Sequence, residues 1–265
     1  WGWSLPVPLP PSVQYVGPLL RPAPAEDPLA GTDLGAWLAE QTPGSVTLVS
    51  LGTVSDVREG EYGALAGALD AAEMANVFVL RRHLQKSLNG ELNLSSTSYG
   101  RLEEWVPQAA LLRHPAVGQA VLHGGHSGIQ ESIRSRTPVL CIPFAFDQFR
   151  NCRRLHQKKL GIALDRSVLL SPESATAVPE ALLTLRKNRS SFVAQLRRME
   201  DFQARGDGPA TLVRLVEETV AVGCAHRSSP FLNYSLPERL MVDVIFVLAS
   251  PLIVLACTVV YVCRR

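Results

Sequence analysis

Five short runs rich in Val and Leu, at 45–51, 77–80, 119–122, 138–142 and 161–164, alternate with helix-like segments at 59–75, 108–112, 127–134 and 147–160. No other feature constrains the fold as tightly. Runs this short and this apolar are what a parallel sheet covered on both faces requires, and strands that alternate with helices wind into one doubly wound α/β sheet. The sequence therefore predicts a Rossmann-like parallel sheet. A segment at 171–185, opened by Ser171-Pro172-Glu173 as cap, first-turn proline and first-turn acid, and further helices to about residue 222 are expected on its flank.

The two ends differ from this body. From residue 1 to 28 the chain carries Pro6, Pro8, Pro10, Pro11, Pro18, Pro22, Pro24 and Pro28, which excludes regular helix or central strand and reads as an extended linker. Residues 244–262 form an apolar stretch, broken at Ser250 and Pro251 and followed by Arg264 and Arg265. Its length and position predict a transmembrane helix with a cytosolic stub, a buried core helix being the alternative. The sequons at Asn93, Asn188 and Asn233 all precede it and suit a lumenal body. Three parts are expected: a proline-rich linker and domain start at 1–44, an α/β domain at 45–236, and the membrane helix with its tail at 237–265. The first residues lack the charged and apolar regions of a signal peptide, so the chain is expected either to be a fragment or to enter the membrane by its other end.

With 265 residues, 46% of them hydrophobic, the chain can build one full core and little more than one domain. A net charge of +2 with no dense Lys/Arg block in the body argues against nucleic acid as a partner. Cys141, Cys152, Cys224, Cys257 and Cys263 form no Cys-x-x-Cys pair and no zinc spacing, so neither a disulfide scaffold nor a structural metal is expected.

The chemistry concentrates between Trp105 and Asn151. A strand at 119–122 runs into His123-Gly124-Gly125-His126-Ser127-Gly128 and then into a helix carrying Glu131. Glycine-rich turns outside a strand's carboxyl end are where α/β sheets bind phosphates: the backbone can approach the anion, its free N–H groups point at it, and the helix dipole adds roughly 0.3 to 2 kcal/mol. The turn lacks both the Gly-Lys-Ser/Thr of a P-loop and the glycine spacing of a dinucleotide site, so a different diphosphate ligand is implied.

In this order and spacing, Trp105-Val106-Pro107-Gln108, His123-Gly124-Gly125 and Asp147-Gln148 closely resemble the motifs of the UDP-glycosyltransferase family. The likeness extends upstream to Ser50-Leu51-Gly52-Thr53, similar to the family's Ser-x-Gly-Ser loop, and downstream to the membrane anchor of its animal, glucuronosyltransferase-like branch. It implies the C-terminal, donor-binding half of a two-domain glycosyltransferase fold. It further implies that Trp105 stacks on uracil with Gln108 against the nucleoside, a base-holding pair that stacking and an amide can supply. Glu131 would take the ribose hydroxyls. His123, Gly125, Ser127 and Gly128, with Ser50, Gly52 and Thr53, would cradle the diphosphate. Asp147 and Gln148 would bind the sugar, and Asn151 would support the nucleotide side. The alternatives are a core tryptophan at 105, a dipole-complementing acid at 131 and a helix N-cap at 147.

Ser127 stands where the family usually has Asn, Phe149 replaces a usual proline, and the late pattern is altered at 204–211. No Asp-x-Asp occurs to hold a diphosphate-bound cation, so transfer with no metal and no cofactor is expected, UDP-sugar being the donor substrate. The family's catalytic base is a His of the N-terminal domain, which this sequence lacks, and His83, His114, His126 and His156 are not expected to replace it. The implied activity is transfer of glucuronic acid or a hexose to a small lipophilic acceptor in the endoplasmic reticulum lumen, with the missing acceptor domain or a homologous family member as partner. A catalytically silent UDP-sugar-binding or regulatory chain is the second reading.

Overall fold

A computed structural model describes residues 13–20, 22, 24–52, 57–82, 85, 100–223 and 235 of the chain. They fall in two compact units. Among the described residues the larger comprises 17–209, and the smaller includes 13–16 and 210–223.

The larger unit is one parallel sheet with helices on both faces. Its strands are β1 (Val46–Ser50), β2 (Asn76–Val79), β3 (Gly100–Glu103), β4 (Val117–Leu122), β5 (Val139–Cys141) and β6 (Gly161–Ala163), in the spatial order β3-β2-β1-β4-β5-β6. Every pairing is parallel. The expected doubly wound sheet is present. The alternation of side chains along each strand divides the core in two. Val46, Leu48, Val77, Ala120, Leu122, Val139 and Cys141 pack on one face, and Val49, Phe78, Val121 and Leu140 on the other.

Helix α1 (Asp33–Ala39) precedes β1, with Thr32 accepting from the Gly35 N–H as its N-cap. Helix α2 (Glu59–Ala71) follows β1. Three helices flank the central strands: α3 (Gln108–Arg113), α4 (His126–Ser135) and α5 (Gln148–Gln157). A 3-10 turn (Arg166–Leu170) then leads to α6 (Ser174–Lys187) and α7 (Arg189–Ala204). Leu111, Leu112, Ile129, Ile133 and Leu196 cover one face of the sheet, and Leu65, Leu69, Leu182 and Leu185 the other. Helix α8 (Gly208–Val222) exposes Val213, Val216, Val220 and Val222, all of the smaller unit.

Several expectations require correction. The edge strand β3 was not expected, because Arg101 and Glu103 disguise a half-exposed strand as a loop. Helix α2 stops at Ala71 rather than 75, since Glu73 turns the chain through φ 50° toward β2. Helix α5 ends at Gln157, with Lys159 at φ 56° turning the chain toward β6. Ser171-Pro172-Glu173 does not open α6 as a cap: Ser171 closes the 3-10 turn, its hydroxyl donating to the Val168 carbonyl at 3.0 Å, and the helix starts at Ser174. Among the described residues no helix is long and apolar enough to cross a membrane, and the stretch at 244–262 lies outside them.

Candidate functional site: a cleft at the switch point of the sheet

The helix after β1 covers one face of the sheet and the helix after β4 covers the other, yet the two strands are neighbours. Such a reversal opens a crevice at the strands' carboxyl ends. Ser50 and Leu122 are register partners there, so Ser50-Leu51-Gly52 and His123-Gly124-Gly125 leave the sheet side by side. Gly52 has φ +78°, and a methyl group built on it would lie 2.7 Å from His123 Cε1. One on Gly125 would lie 2.5 Å from His123 Nε2. The imidazole is thus held between two glycines that no larger residue can replace without displacing it. Its Nδ1 is buried without a partner. Burial pushes the His123 pKa down, against smaller upward pulls from the Ser50 backbone and the Asp147 carboxylate.

Gly125 is the N-cap of α4 and offers no side chain to its first turn, so the N–H groups around Ser127 and Gly128 stay free for an anion. A second-turn residue of the same helix, Glu131, accepts a 2.7 Å hydrogen bond from Gln108 Nε2 at the start of α3. Two predicted nucleoside ligands are therefore already joined. Trp105 is 75% exposed, which rules out the core alternative.

The third wall follows β5. Gln148 is buried, and its Oε1 accepts from the backbone N–H groups of Phe144 and Ala145 at 2.8 and 2.9 Å. Its carbonyl braces the loop, which leaves the amide nitrogen as the group available to a ligand. Asp147 occupies the N-cap position of α5 but caps nothing; its exposed carboxylate accepts from Asn151 Nδ2 at 2.7 Å. The same Asn151 amide donates to the Gly124 carbonyl at 3.0 Å and ties this wall to the glycine turn. Between Asp147 and the brace, Phe146 is 84% exposed at φ 53°, a conformation costly for a side chain of that size. Cys141 and Cys152 are joined by a disulfide linking the end of β5 to α5, where no disulfide was expected.

These walls enclose a cavity of about 870 Å³, within the range of small-molecule sites. Ser50, Gly52, Trp105, Gln108, His123, Gly125, Ser127, Gly128, Glu131 and Gln148 all line it. Asp147 does not, standing one residue outside the lining, and Thr53 lies outside the described residues. Tyr62, Arg81, Arg113 and Arg134 also line the cavity and were not foreseen. Arg134 could have been found, since it sits three residues beyond Glu131 on one helix face. Tyr62 could not, because in sequence it belongs to an apolar helix face; burial raises its phenol pKa, so it stays protonated.

Fold and cleft together define a parallel α/β domain with a glycine-rich cavity at its switch point. The profile of the family described as UDP-glucoronosyl and UDP-glucosyl transferase matches residues 1–192, and the chain belongs to that family. It is 35% identical over 150 residues to Anthocyanidin 3-O-glucosyltransferase 7 of Manihot esculenta, covering 56% of this chain and 52% of that protein. It is 31% identical over 170 residues to Flavonol 3-O-glucosyltransferase F3GT2 of Actinidia chinensis var. chinensis, covering 63% of this chain and 36% of that one. The chain thus spans about half or less of these curated relatives, both of which are plant proteins. Among solved structures it resembles Os79 from O. sativa in complex with UDP, at TM-score 0.63 and 22% identity, over 71% of this chain and 43% of that one. It also resembles Phytolacca americana UGT2 complexed with UDP-2fluoro-glucose and pterostilbene, at TM-score 0.64 and 23% identity, over 77% and 47%. These two likenesses establish the fold.

Proposed function

We propose that this chain is the donor-binding half of a UDP-glycosyltransferase that moves a neutral hexose, most simply glucose, from UDP to a small lipophilic hydroxyl acceptor. The observation that carries the reading is the cavity itself, in which an exposed aromatic face, a joined amide and carboxylate, and a glycine turn at a helix N-terminus line one cleft. Uracil stacks on Trp105, the ribose hydroxyls bond Glu131, and the diphosphate lies against the turn from His123 to Gly128. The hexose extends toward Gln148 and Asp147.

A neutral sugar fits better than glucuronic acid. The relatives above are named as glucosyltransferases, and the amide nitrogen of Gln148 is a neutral donor suited to sugar hydroxyls. Charge developing on the departing UDP is stabilised by backbone N–H groups, the α4 dipole and His123, with no metal required. Deprotonation of the acceptor falls to a base other than the residues assigned to the donor. The apolar stretch at 244–262 and Arg264–Arg265 support a membrane tether with the body in the endoplasmic reticulum lumen.

Calorimetry tests the core of this reading. UDP should bind the chain equally well with and without a chelator, and UDP-glucose should bind more tightly than UDP-glucuronic acid. No binding at millimolar UDP would overturn it.

A further inference from the structure

We propose that the Cys141–Cys152 disulfide is a redox-sensitive support of the phosphate turn: intact, it holds Gly124 in the shape that receives the diphosphate, and its reduction weakens donor binding. The inference rests on the donor-site reading above.

Cys141 is the last residue of β5 and Cys152 lies in α5; their Cα atoms are 5.3 Å apart and both side chains are buried. The sulfurs lie directly beneath the turn. A methyl group built on Gly124 would fall 2.6 Å from Cys152 Sγ and 3.0 Å from Cys141 Sγ, and Gly124 itself has φ +87°. Asn151, next to Cys152, donates to the Gly124 carbonyl at 3.0 Å. The glycine is thus supported from below by the disulfide and held at its carbonyl by the amide. Cys152 Sγ also lies 3.9 Å from the His123 carbonyl oxygen, a contact that carries no hydrogen while the bond is intact.

A dithiol reductant transfers two electrons and two protons to the pair. The S–S bond breaks, two S–H groups form, and the dithiol leaves as its own disulfide. Unbonded sulfurs need more room than bonded ones, and in a close-packed interior that room must come from a neighbour. Gly124 has no side chain to yield, so its backbone moves. The new Cys152 thiol can in addition donate to the His123 carbonyl, pulling the same turn from a second point. Both changes fall on the diphosphate end. Trp105 and Gln108 stand on other elements, and Glu131 lies in the second turn of α4, held by Gln108, so the nucleoside end is spared. By reciprocity, a bound diphosphate protects the disulfide from reduction.

The experiment compares UDP with uridine on the full chain, as oxidised protein, after dithiothreitol with its thiols counted, and as Cys141→Ser/Cys152→Ser. UDP affinity should fall roughly tenfold on reduction, the loss of about one hydrogen bond to an anion, with uridine affinity unchanged. The double variant should ignore dithiothreitol, and UDP should slow reduction of the native chain where uridine does not. Unchanged UDP affinity in protein whose thiols are counted as free, or an equal loss for uridine, overturns the proposal. Failure of UDP to bind the oxidised chain overturns the donor-site reading instead.

Discussion

Gly52 and His123 are packed so closely across the β1–β4 seam that a single methyl group on the glycine would sit 2.7 Å from the imidazole. Gly52→Ala therefore meets two obstacles, a positive φ and an occupied space. It should destabilise the chain by about 1–3 kcal/mol and displace the ring. Thermal melts should show the loss, and UDP affinity should fall with it. A variant that melts normally and binds UDP normally would mean that His123 swings aside freely.

His123 also sets a pH dependence. Burial holds its folded pKa below the ordinary value of 6.5, so the fold binds fewer protons there than the unfolded chain does. The stability this gives is fully present above about pH 6.5 and is lost as the pH falls from there toward the folded pKa. Melting temperature should decline across that acid window in the native chain and decline less in His123→Asn. Identical slopes would refute the assignment.

Trp105→Ala should weaken UDP binding by roughly 1–3 kcal/mol, the scale of base–aromatic stacking, and leave stability nearly unchanged because the ring is exposed. Isothermal calorimetry and a melt on the same sample separate the two. Lost stability would give the ring a structural task.

Glu131 and Gln108 should behave as a coupled pair. Because Gln108 already donates to Glu131 at 2.7 Å, the losses in UDP affinity from Gln108→Ala and Glu131→Ala should be non-additive in a double-mutant cycle. Strict additivity would place the two residues on separate parts of the ligand.

Gln148 allows its two tasks to be separated. Gln148→Leu strips the acceptor from the backbone N–H groups of Phe144 and Ala145 and should cost about 1–3 kcal/mol of stability. Gln148→Glu keeps that acceptor, so the melt should hold while UDP-glucose loses its advantage over UDP. Asp147→Asn should likewise spare UDP and blunt discrimination among UDP-sugars. Equal losses for UDP and UDP-glucose would instead give both side chains a scaffolding role.

The sheet was legible because its inner strands are buried on both faces and hence uniformly apolar, as in Val46–Ser50 and Val117–Leu122. Edge strand β3 was not, because half-exposed residues such as Arg101 and Glu103 follow no burial pattern. In the site, motif residues were legible through their spacing within one stretch of chain. Arg81 and Tyr62 were not, since only the winding of the sheet carries them to the cleft. The disulfide escaped notice for a related reason. Its cysteines are 11 residues apart and follow no ligand spacing, and they meet only because α5 folds back beside β5.

Apart from Ser50 and Gly52, every cavity-lining residue assigned here to the donor falls between Trp105 and Gln148. On the donor-site reading proposed above, recognition of the nucleotide is written nearly as one uninterrupted stretch of sequence. The two glycine-bearing turns of the β1–β4 seam are the exception. They lie about seventy residues apart in sequence and touch in space, so drift at one must be matched at the other, and that pair of turns is where lineages should show correlated change.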